Sequence, residues 1–136
     1  MRQLTKEDKD LIFKALSNIK LPESFTYTNV KPEIIVKQLR QYILENEIPL
    51  KAYYPKWRWS KVVGYRNIGE YIVHYNVYKL SDKAAFLGMI CHECIHMIGI
   101  GHGGNAVHWW NRKKKYASAN FYIGFAVRDY LRNNIF

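Results

Sequence analysis

Along the first fifty residues, apolar side chains return every three or four positions. Leu11, Ile12, Ala15, Leu16 and Ile19 predict an amphipathic helix over 6–19, opened by Thr5 with Asp8 three residues on and closed by Leu21-Pro22. Pro32 suits a first helical position, and Ile35, Leu39, Tyr42 and Ile43 predict a second helix ending near Asn46. Pro49 and Pro55 then read as punctuation in a connection.

Beyond Pro55 the helical period is lost. WRWSKVVGYR (57–66) and EYIVHYNVYK (70–79) are rich in β-branched and aromatic residues, with Asn67-Ile68-Gly69 as a turn between them. This predicts a β-hairpin. In its second strand Tyr71, Val73, Tyr75 and Val77 share one face, and Ile72, His74, Asn76 and Tyr78 the other.

Ser81 or Asp82 caps a helix predicted over 83–98, apolar nearly all round and therefore central. Gly99 and Gly101 stop it, because glycine tolerates the left-handed backbone of a helix end. Two further helices are expected over 105–117 and 120–133. The order predicts one α+β domain spanning 1–136, with no repeats, low-complexity tracts or linker.

Composition adds two limits. At 136 residues and 49% hydrophobic, the chain can bury a core without disulfide staples, and a disordered reading is excluded. The two cysteines, Cys91 and Cys94, are too few and too close for a secreted disulfide scaffold. The start MRQLTKEDKD has no apolar leader, and no apolar run reaches the ~18 residues of a membrane span. A cytoplasmic protein with no membrane association is the expectation.

The predicted central helix carries the chemistry. HECIHMIGIGH, His92 to His102, sets three imidazoles and a carboxylate into an apolar run, where they are costly unless paired or bound to metal. His92 and His96 are four apart, about 40° around a helix of 3.6 residues per turn, so both project from one face. That spacing suits two ligands to one Zn²⁺, with Glu93 placed to act as general base on a water. A catalytic zinc takes three protein ligands and leaves a place for water. His102, returned by the glycine break, is the expected third. A purely structural site would have no use for Glu93.

Cys91 lies about 100° around the helix from His92, and Cys94 about 160° from His96, so both read as small buried hydrophobes. His74 reads as a packed or surface histidine. Tyr116 and His108 are candidates for stabilising an oxyanion, with packing the commoner role for His108.

Three features carry a resemblance. They are the H-E-x-x-H and G-H-G of His92, Glu93, His96 and Gly101-His102-Gly103, the tryptophan-bearing HWWNRKKKY after them, and GYRNIGEYIVHYNVYKL before, with Ile72 and Asn76. Over about residues 57–116 the chain resembles the SprT-like and WLM minimal zincins, which include the Spartan proteases of DNA-crosslinked proteins. The resemblance implies a minimal zincin-like domain: two N-terminal helices, a short β-hairpin, the HExxH helix and two C-terminal helices. It implies a zinc metalloprotease with one Zn²⁺ per chain on His92, His96 and His102, Glu93 as catalytic residue, and a protein or peptide as substrate. The chain departs from metzincins, whose literal pattern it also matches, in having no methionine after Met97. It departs from many SprT-like proteins in having no cysteine after Cys94 for a zinc ribbon, and Ala106 stands where they usually carry a large aromatic.

Charge points to a second partner. The net charge of +10 is uneven: +1 over 1–50, +5 over 51–80, −1 over 81–100 and +5 over 101–136. The two basic blocks flank the histidine segment. In the first, Lys51, Lys56, Arg58, Lys61 and Arg66 interleave with Tyr53, Tyr54, Trp57, Trp59 and Tyr65. In the second, Arg112, Lys113, Lys114 and Lys115 form a run. Cations that follow phosphates and rings that stack on bases suit DNA, single-stranded or duplex. The competing reading has the aromatics in the core and the cations merely solvated. Two functional alternatives also stand: a DNA-binding protein with a structural zinc site, and a zinc hydrolase that is not a peptidase.

Overall fold

A computed structural model describes residues 2–101 and 118–136. The elements follow in order as β1 (Arg2–Gln3), α1 (Lys6–Leu16), α2 (Pro32–Glu45), β2 (Pro49–Tyr53), β3 (Gly64–Tyr65), β4 (Val73–Asn76), α3 (Lys83–Met97) and α4 (Ala119–Asn134). The α+β class is as expected. The helix predicted over 105–117 lies outside the described residues.

The helices start where the sequence signals them. Thr5 Oγ1 accepts the Asp8 amide at 3.1 Å, Pro32 opens α2, and Asp82 rather than Ser81 caps α3 by accepting the Ala85 amide at 3.2 Å. Helix α1 stops at Leu16, short of the predicted Ile19. The Asn18 amide turns to the Ala15 carbonyl, and the Asn18 side-chain Nδ2 donates instead to the Lys14 carbonyl that a longer helix would have bonded, while Ser17 Oγ adds a second bond to the Phe13 carbonyl.

The sheet differs more. It has four strands in the order β1-β2-β4-β3. The predicted hairpin survives only as Gly64 opposite Tyr75 and Tyr65 opposite His74. Residues 57–60 form a turn closed by the Ser60 amide on the Trp57 carbonyl at 3.0 Å, so the strand expected over 57–66 is corrected to two residues. The intervening chain is tied by side chains: Asn76 Nδ2 and Tyr53 Oη both donate to the Val62 carbonyl. Past Asn76, whose side chain accepts the Tyr78 amide, the second strand bends into a 3₁₀ turn over Val77–Lys79.

Strand β2 stands where Pro49 and Pro55 predict only a connection. It pairs in parallel with β4, Leu50 opposite Val73 through Tyr53 opposite Asn76, and antiparallel with β1. Pro49 begins this strand, where proline is tolerated. Strand β4 lies inside the sheet between β2 and β3, and Val73 through Asn76 are all buried.

The core lies between the sheet and the helices, with Ile12, Leu39, Leu50, Phe86, Ile90 and Ile123 inaccessible or nearly so. Helix α3 runs through its middle. Helix α1 is clamped to α3 by Lys83 Nζ on the buried Asp8 carboxylate at 2.8 Å. Among the described residues no helix is long and apolar enough to cross a membrane.

Candidate metal and catalytic site

Helix α3 brings His92 and His96 together as the four-residue spacing requires, with ring centroids 5.1 Å apart. Helix α4 supports them. The Phe121 ring stands edge-on to His92 at 4.6 Å, and Gly124 leaves room beside the His92 Cβ. Asn120 Nδ2 donates to the Ile100 carbonyl at 3.0 Å and reaches the His92 carbonyl at 3.4 Å. The start of α4 is thereby pinned to the end of α3.

The chain reverses after α3 as predicted. Gly99 adopts φ 94°, a left-handed conformation, and the Ile100 amide closes back onto the Ile95 carbonyl at 3.2 Å. The reversal leads into His102, which lies outside the described residues, as do His108, Arg112 to Lys115 and Tyr116. Among the described residues no group of three or more His, Cys, Asp or Glu side chains converges as a metal site. The pair that is described fits a divalent metal by its chemistry. Two imidazoles share one helix face, and a carboxylate beside them is withdrawn from solvent.

That carboxylate is Glu93, 8% exposed. Burial raises its pKa to about 7, and the positive charge of Arg66 opposes the rise. Glu93 and His92 border a cavity of about 480 Å³ between α3, α4 and the segment 61–64. Its walls are apolar, with Val62, Val63, Met89, Phe121 and Phe125 among them, while Lys61 and Arg128 bring cations to it. Arg128 packs its guanidinium 4.5 Å over the Phe125 ring.

The thiols are separate from this arrangement. Cys91 and Cys94 are free and fully buried, as read from the sequence. Burial pushes both pKa values up, that of Cys94 to about 12, so neither offers a thiolate. His74 is packed: its Nε2 lies 2.7 Å from Glu70 Oε1, and its ring stacks on Tyr65 at 4.5 Å.

In the basic, aromatic block, Trp57 and Trp59 are 70% and 81% exposed, not core-filling. Lys56, Arg58 and Lys61 are exposed with them, and Arg58 lies 5.6 Å over the Tyr78 ring. Arg66 differs from the other cations. It is half-buried, and its Nη1 donates to the Asn67 and Glu70 carbonyls at 3.2 and 2.9 Å.

The sequence reading missed the contributions of α4, since nothing in 120–133 marks Asn120, Phe121 or Gly124 as neighbours of a histidine thirty residues earlier. It also grouped Arg66 with the surface cations, whereas its hydrogen bonds to the Asn67 and Glu70 carbonyls set it apart. Searches of protein-family models, curated proteins and solved structures match nothing to this chain.

Proposed function

We propose that the protein is a zinc-dependent metallopeptidase of the SprT-like, minimal zincin kind, acting on proteins associated with DNA. The observation that carries this reading is the pairing of the His92 and His96 rings, 5.1 Å apart on α3, with the buried Glu93 at the edge of a 480 Å³ cavity.

His92, His96 and His102 would hold the metal. A zinc ion there supplies Lewis-acid polarisation of the scissile carbonyl and of the attacking water. Glu93 takes the proton from that water and passes it to the leaving amine. Its withdrawal from solvent strengthens it as a base. The apolar cavity takes a substrate side chain next to the bond being cut and excludes water from it.

The nucleic-acid partner rests on a different observation, the exposure of Trp57 and Trp59 among Lys56, Arg58 and Lys61. Rings left in solvent between cations can stack on unpaired bases while the cations meet phosphates. Because Lys61 also borders the cavity, DNA held on this loop keeps an attached protein near Glu93. The same exposure favours the second reading, a DNA-binding protein whose zinc is only structural.

Elemental analysis of the purified protein tests the metal half. One zinc per chain is expected, lost when His92, His96 or His102 becomes Ala. Full zinc in all three variants would remove the proposed site.

A further inference from the structure

The cavity beside His92 and Glu93 is roomier than any one side chain requires. An apolar cavity of about 150 Å³ holds a benzene ring, and this one has about 480 Å³. Wall chemistry and charge, rather than size, therefore decide what enters. We propose that the cavity is a specificity pocket that takes an aromatic side chain of the substrate, and that Arg128 rejects a cationic one. The inference deepens the peptidase reading above and rests on it for the bond that is cut.

Two facing stripes build the pocket. Ala85, Gly88, Met89 and His92 share one face of α3, and Phe121, Gly124, Phe125 and Arg128 share one face of α4. The helices run past each other in opposite directions. Gly124 lies against His92, where an added Cβ would stand 3.4 Å from the His92 Cβ, whereas Arg128 lies against Gly88. Arg128 thus stands one helical turn from His92, about 6 Å along α3. Between them the wall is aromatic. The Phe121 and Phe125 rings stack with centroids 5.9 Å apart, and Met89 adds a polarisable thioether. A ring entering there gains offset and edge contacts that an aliphatic side chain cannot make. The Arg128 guanidinium, 4.5 Å from the Phe125 centroid, holds a cation where the face of an incoming ring can meet it.

Charge narrows the choice further. Among the described lining residues Glu93 alone is acidic, and it stands at the His92 end, while Arg128 and Lys61 are cations. Arg128 Nε donates to Asp129 Oδ1 at 2.9 Å, but the Asp129 side chain is 54% exposed and does not line the cavity. The pair therefore leaves the guanidinium as the charge at the wall. A lysine or arginine entering beside His92 carries its charge on a stem long enough to reach the level of Arg128. There it would lose its water and meet a like charge, which is exclusion by repulsion. If Arg128 served only to pair with Asp129, its charge would have no bearing on which substrates are cut.

The test compares the zinc-loaded full chain with Arg128→Gln and Arg128→Glu on peptides of glycine and serine that carry one central Phe, Tyr, Leu or Lys. The kcat/KM is measured for each, and mass spectrometry locates the bond cut. Binding of the same unlabelled peptides to zinc-loaded Glu93→Gln is measured by isothermal titration calorimetry. The wild type should cut beside Phe and Tyr at least about tenfold faster than beside Lys, with Leu between. Arg128→Glu should raise the Lys-to-Phe ratio at least about tenfold and Arg128→Gln by less, because only reversal gives the cation a partner. A wild type that cuts the Lys or Leu peptide as fast as the Phe peptide overturns the proposal. So does a folded Arg128→Glu whose Lys-to-Phe ratio stays within about threefold of wild type. Should Arg128→Glu fail to fold, an unmoved ratio in Arg128→Gln overturns it equally. Preference for Phe over Lys in binding to Glu93→Gln, with no wild-type turnover of any peptide, removes the peptidase reading and supports the pocket. Neither turnover nor selective binding removes both.

Discussion

Gly88 of α3 and Gly124 of α4 meet backbone to backbone: a Cβ on Gly88 would lie 2.4 Å from the Gly124 carbonyl oxygen, and one on Gly124 3.0 Å from that of Gly88. This close crossing lets α4 set Phe121 against the His92 ring. Alanine at Gly88 gains about 1 kcal/mol of helix propensity but drives a methyl into backbone that cannot swing away. Overpacking of that kind costs about 1–3 kcal/mol or more, so Gly88→Ala should be destabilised on balance. Chemical denaturation checks this. An unchanged or raised midpoint would mean that the helices do not cross at these glycines.

The thiol pair gives a second prediction. Cys91 and Cys94 are fully buried, with pKa values raised by that burial, so the thiolate fraction at pH 8 is negligible. Iodoacetamide should leave both unmodified in the native protein and alkylate both once denaturant unfolds it. Rapid alkylation of the native chain at pH 8, read by mass spectrometry, would contradict this burial.

The exposed tryptophans give a third. Trp57→Ala and Trp59→Ala should each weaken single-stranded DNA binding by about 1–3 kcal/mol if the ring stacks on a base. Neither should alter folding stability by more than about 0.5 kcal/mol, because the rings are 70% and 81% exposed. Fluorescence anisotropy with a labelled oligonucleotide measures the binding, and affinity should fall steeply as salt rises. Absence of salt-sensitive binding by the wild type at low ionic strength would dispose of the DNA partner.

What was legible in the sequence follows from what is local. Helix starts at Thr5, Pro32 and Asp82 are set by residues within one turn, and the His92–His96 pairing follows from helical geometry alone. The sheet was less legible because its pairing is not local. Strand β2 exists through contacts with β1 and β4, and PLKAY has no period of its own to announce them. Residues 57–63 read as a strand from their aromatic and β-branched content, yet several of these side chains face solvent and the backbone is tied by Asn76 and Tyr53. The half of the site contributed by α4 was hidden for the same reason. Asn120, Phe121 and Gly124 matter through a helix crossing that sequence spacing does not encode.

The central claim is that Glu93 performs chemistry beside a metal held by its histidine neighbours. It is tested most directly by comparing casein cleavage by wild type and Glu93→Gln, with zinc content measured on the same preparations. The substitution keeps size and removes the base, so both proteins should carry one zinc and melt alike, while turnover falls by at least about 100-fold, the lower end of what general acid–base catalysis contributes. A zinc-bearing Glu93→Gln that cleaves casein as fast as the wild type would contradict it.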